Sequence, residues 1–188
     1  MIPTQQTVKE KPLAEVVVEG ELSPFEDEAL YKMLRKSFQV EHPRYTELQD
    51  ESLVTRVNLI LHHSYDATIF TDVFRSDWRD LKDLFKQICH RRGKAGAAFT
   101  FRFDTSKTRL AFNTGILNEN ELSSALDQIG HLTGIVGQML RPETMDKPID
   151  RVETLFDRNS DRWHKFEGTR SDDERYTFDE SSFRWVPV

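Results

Sequence analysis

Cysteine is nearly absent from this sequence: Cys89 is the only one. An internal disulfide and a multi-cysteine zinc site are therefore both excluded, and a reducing compartment fits. Long apolar runs are missing too. No stretch approaches the ~18 apolar residues of a membrane span, and the opening MIPTQQTVKEKPLAEVVVEG has no apolar segment behind a basic one. These absences predict a soluble, cytoplasmic protein with no membrane partner. The sequence also has no phosphate loop, nucleophile elbow or dinucleotide glycine fingerprint, so no cofactor is expected.

What is present suffices for a core. Of 188 residues, 37% are apolar and 31% charged, which suits one main folded domain with a heavily charged surface. The charge is arranged in blocks. Residues 1–74 carry seven cations against thirteen acids, residues 75–109 ten against four, and residues 110–188 nine against fifteen. A basic middle between acidic flanks bears on partners more than on fold.

Three segments follow from the patterning: an arm over 1–13, a core domain over 14–140, and a C-terminal segment over 141–188. AEVVVEGEL reads as a strand. Ser23, Pro24 and Glu26 form a capping box that opens a helix to about Phe38. Residues 53–63 and 67–74 read as strands joined through Ser64-Tyr65-Asp66. Trp78, Leu81, Phe85, Ile88 and Cys89 share one face of a helix that starts after Ser76 and ends at Gly93. AAFTFRFD alternates Phe99, Phe101 and Phe103 with Thr100 and Arg102, as a strand does. TRLAFNTG returns beside it, and a helix runs from Asn118 to Met139. The expected fold is α+β: an antiparallel sheet of βαββαβ-like order with an added strand and C-terminal helix, helices packed on one face. A short helix near 149–166 and an extended, acidic, aromatic tail complete it.

Four groups of residues carry possible chemistry. Arg91, Arg92, Lys94, Arg102, Lys107 and Arg109 form a basic group suited to phosphates or an acidic partner. Trp163, Tyr176, Phe178, Phe183 and Trp185 are aromatics in a polar context, suited to anchoring a protein. Glu153, Asp157, Asp161 and His164 would align on one helical face, a spacing used by carboxylate and histidine metal sites. Cys89 beside His90 falls on the apolar stripe and reads as buried rather than as a nucleophile, and His62 and His63, adjacent on a strand, point to opposite faces.

The leading functional reading is a non-enzymatic interaction or regulatory domain that binds a protein through the aromatic acidic segment and a basic helix–hairpin surface. RNA or single-stranded nucleic-acid binding through residues 75–109 is the alternative. A metal-dependent hydrolase is the third.

Overall fold

The computed structural model describes residues 10–41, 43–47 and 53–188. Its centre is a mixed sheet. In chain order the strands are β1 (Leu13–Glu19), β2 (Gln39–Val40), β3 (Arg44–Thr46), β4 (Thr55–Leu61), β5 (Ala97–Asp104), β6 (Arg109–Ile116), β7 (Arg151–Asp157), β8 (Arg162–Thr169), β9 (Arg175–Asp179) and β10 (Arg184–Pro187). They are ordered β10-β9-β8-β7-β6-β5-β4-β1-β2, with β3 also on β1. The helices are α1 (Pro24–Ser37), α2 (Asp77–Arg92), α3 (Glu119–Ile129) and α4 (Thr133–Met139). No helix among the described residues is long and apolar enough to cross a membrane.

The expected antiparallel sheet is corrected. β4 pairs parallel with β5 and β6 with β7, each pair joined through helix, whereas hairpin-connected β5–β6 and β7–β8 are antiparallel. A helix between two neighbouring strands returns the chain to the same sheet edge, which makes them parallel.

Two local expectations also give way. Residues 69–74 form a π-helix instead of a strand, closed by Arg75 N–H donating to Phe70 O at 2.9 Å. It brings Ile69 and Phe74 into the core, where the Phe74 ring lies 5.1 Å from that of Phe38. The helix expected near 149–166 is the β7–β8 hairpin. Val152, Thr154 and Phe156 are buried while Arg151, Glu153 and Leu155 are exposed, and this period of two is a strand's. The Asp157 carboxylate accepts from Asn159 N–H at 2.9 Å and starts the turn. Nor is the C-terminal segment an extended tail. β7 to β10 continue the sheet from β6, and Phe178 and Trp185 are buried.

Residues 1–9 of the expected arm lie outside the described residues. Its end is tied down by Gln39 N–H, which donates to Pro12 O at 2.8 Å. The capping box of α1 is in place: Glu26 N–H donates to Ser23 Oγ at 3.2 Å and Ser23 N–H to Glu26 Oε2 at 2.8 Å. Gly93 ends α2 with φ +51°, a conformation glycine adopts without strain. The helix expected over 118–139 is divided into α3 and α4 around Gly130.

The register separates the two sides of the sheet. Val16, Leu59, Phe101, Phe112 and Thr154 form one row across five strands. All are buried, in the side that receives Leu30, Leu34, Phe85, Leu122 and Leu126 of the helices. The row on the other side is Glu15, Ile60, Arg102, Ala111, Glu153, Glu167, Thr177 and Val186. This side, which the core residues of α1 to α3 do not cover, exposes Glu153 and Glu167, while Glu15 is held by His62 and Arg44, Arg102 pairs with Asp104, and Ile60 and Ala111 are buried.

Candidate functional site

The six cations named from the sequence fall into two groups at opposite ends of β5, about 23 Å apart at the usual rise per strand residue. At one end Arg91 holds Glu26 through Nε–Oε1 and Nη2–Oε2 hydrogen bonds, each 2.6 Å. Arg92 donates to Leu53 O at 2.5 Å, and Lys94 is exposed in the short 3-10 turn after α2. At the other end Arg102 pairs with Asp104 at 2.8 Å, and Lys107 and Arg109 stand at the β5–β6 hairpin. Phe99, Phe101 and Phe103 between them are core.

The aromatic group is mostly interior. Trp163 donates its indole N–H to Ala125 O at 2.9 Å and Trp185 to Met139 O at 2.8 Å, fixing α3 and α4 to the C-terminal strands. Phe178 is buried against Trp185, with Tyr176 and Phe183 half-buried at the same core. Trp163, Phe178 and Trp185 are packed inside, while Tyr176 and Phe183 keep part of their surface exposed.

The carboxylate and histidine group is spread along the β7–β8 hairpin. His164 Nε2 meets Asp157 Oδ2 at 2.6 Å, and Ser160 Oγ lies 3.3 Å from that same nitrogen. A Ser-His-Asp relay needs its serine and carboxylate on different ring nitrogens, so this cluster shapes the turn. The hydrogen bonds of His164, Asn159 N–H and Ser160 hold the Asp157 carboxyl well below the usual range. Asp161 is drawn towards α3, its carboxylate accepting from Ser124 and its carbonyl from Gln128. No group of three or more His, Cys, Asp or Glu side chains among the described residues is placed to hold a metal ion.

The other titratable candidates are engaged as well. Cys89 donates to Leu117 O at 3.3 Å, and burial, with Glu119 and Glu121 nearby, pushes its thiol up. A protonated, enclosed thiol is a poor nucleophile. His62 is held by Glu15 at 2.6 Å and His63 by Ser64 O at 2.8 Å.

A further feature takes in Glu153 and Asp157 of the carboxylate group together with residues that carried no expectation. β7 is flanked by two bulges. On β6, the four residues from Asn113 to Ile116 match three on β5, and Gly115 has φ +65°. On β8, the four from His164 to Glu167 match three on β7, and Lys165 has φ +57°. Between them a hollow of about 600 Å³ opens on the uncovered side, lined by Asn113, Gly115, Ile116, Glu153, Leu155 and Lys165 among others. Leu155 is 59% exposed and Ile116 53%. Bulges interrupt the ladder and re-aim side chains, and they recur beside functional sites. The sequence does hold a signal for this place: in RVETLFD, Leu155 is the one apolar residue on the charged side of the alternation.

Compared with protein-family models, with curated proteins and with solved structures, the chain finds no match.

Proposed function

We propose that this chain is a non-enzymatic protein-binding module whose partner docks on the uncovered side of the sheet, centred on the hollow between the two bulges. The observation that carries this reading is the exposure of Leu155 and Ile116 together, in a concave surface ringed by Asn113, Glu153, Lys165 and Glu167. An apolar centre with a polar rim is the usual anatomy of a protein interface. The module reading thus moves from the C-terminal aromatics to the strand surface beside them.

Burying Leu155 in a partner would contribute roughly 1.5–3 kcal/mol, so a charge there should weaken binding by at least about tenfold. The test is co-purification of the tagged full chain from its native cells, wild type beside Leu155→Asp. Because the side chain is exposed, both should melt at the same temperature. A stoichiometric protein held by wild type and lost with the aspartate supports the reading. A partner retained equally by both sinks it.

A further inference from the structure

We infer that the partner segment seated on this face is acidic, its carboxylates held by Arg109 and Arg151; this rests on the docking reading above. The two arginines are in-register neighbours on the parallel strands β6 and β7, and both are exposed on the uncovered side. Like charges facing one another across a ladder are destabilising. Among the described residues they are only weakly neutralised. The nearest carboxylate to Arg109 is Asp104 at 3.9 Å, and that carboxylate is engaged by Arg102 at 2.8 Å. The side chains of Arg151 and of Lys107, beside them in the hairpin, have no partner among the described residues.

Several acids nearby are committed elsewhere. Asp150 accepts from Ser171 N–H, while Asp172 and Glu174 are taken up by Arg170. Asp173 remains on the rim of the hollow of about 360 Å³ that Lys107, Arg109 and Arg151 line, and Glu153 stands two residues along β7 from Arg151 on the same side. Two adjacent guanidinium groups suit carboxylates, which they grip through paired N–H donors.

Spacing joins this cationic end to the apolar hollow. Arg151 and Leu155 lie on the same side of β7 four residues apart, about 13 Å. One extended segment of about four residues therefore reaches both, setting carboxylates on the arginines and an apolar side chain against Leu155. A nucleic acid fits less well. Single strands are held by stacking bases on aromatic rings, and the described strand residues on this side include no Phe, Tyr or Trp: Tyr45, Tyr176, Phe178 and Trp185 all belong to the helix side, and the His164 ring is held by Asp157. Glu153 and Glu167 lie between the arginines and Leu155, which confines the segment's carboxylates to the arginine end and breaks a continuous track for phosphates.

The experiment is a fluorescence-anisotropy titration of the full chain with three labelled probes: a leucine–glutamate octapeptide with glutamate at positions 1 and 3, leucine at 5 and 7 and serine elsewhere, so that both kinds of side chain share one face when extended; the leucine–serine octapeptide with serine in place of the glutamates; and a thymidine dodecanucleotide. Each is repeated with the double variant Arg109→Glu/Arg151→Glu and with Leu155→Asp. The expected result is that the leucine–glutamate peptide binds about tenfold more tightly than the leucine–serine peptide, that salt weakens only this difference, and that the double variant abolishes it. Leu155→Asp should weaken both peptides. If the two peptides bind equally, depending on Leu155 but not on the arginines, the acidic inference fails while the docking reading survives. Tighter binding of the oligonucleotide, lost in the double variant, overturns the inference in favour of phosphate. Binding of neither peptide at about 1 mM overturns both it and the docking reading.

Discussion

The guanidinium of Arg91 clasps the carboxylate of Glu26 through two hydrogen bonds of 2.6 Å, tying the last turn of α2 to the first turn of α1. Glu26 is buried, and its second role is to cap the same helix by accepting from Ser23 N–H. A residue that reads as a solvated cation at a helix end is thus a structural clasp.

Arg91→Ala strands a buried carboxylate and should lower stability by about 2–3 kcal/mol, near the lower end for breaking such pairs because the arginine is partly exposed. Burial pulls the Glu26 carboxyl up, but Arg91 and the Ser23 N–H pull it further down, so it lies below its ordinary 4.5. A carboxylate with a depressed folded value stabilises at pH above its unfolded value, and that contribution is lost as pH falls through the folded one. Urea melts of wild type and Glu26→Gln should therefore differ most near neutrality and converge below about pH 4.5. A gap that stays constant down to strong acid would contradict the assignment.

Trp185 is a core residue with a committed N–H. Trp185→Phe removes one of two donors to Met139 O, the Thr144 hydroxyl being the other, and should cost about 1 kcal/mol, while Trp185→Ala should cost about 3–5 kcal/mol. Thermal melts decide it. Melting temperatures that do not move would place the C-terminal strands outside the cooperative unit.

Gly168 sits where no side chain fits: a Cβ there would stand 2.9 Å from Ile149 Cγ2 and 3.0 Å from Trp185 Cζ3. Gly168→Ala should destabilise by about 1–3 kcal/mol through overpacking. At Gly134 a Cβ would meet nothing within 4 Å, so Gly134→Ala, in a helix, should stabilise slightly. Opposite signs in one denaturation series are the expected outcome; losses at both positions would contradict the packing.

Cys89 should be inert. With its thiol buried and pushed up, alkylation by iodoacetamide at neutral pH should be slow in the native protein and fast after denaturation. Equal rates in the two states would mean that the thiol is open to solvent.

Part of this was legible residue by residue. Capping at Ser23, the stripe of α2 and the alternation of AAFTFRFD rest on interactions between near neighbours in sequence, and each element formed where those interactions place it. Glu153 and Asp157 show the limit. Their spacing of four puts them on one side of a strand as readily as on one face of a helix, so the spacing alone did not distinguish β7 from a helix.

The sequence by itself determined the capped start of α1, the stripe of α2, the alternation of β5 and the charge blocks, because these depend on composition and on contacts within a few residues. Tertiary structure alone decided the rest. Which strands became parallel, which cations found carboxylates and which aromatics went inside depended on pairings between residues far apart in the chain. Arg91 met Glu26 and became a clasp. Arg109 met Arg151 across the β6–β7 ladder, and the carboxylate nearest Arg109 was already engaged by Arg102. Leu155 was left exposed because two bulges formed on either side of its strand, and such bulges are set by long-range register, which no local pattern encodes.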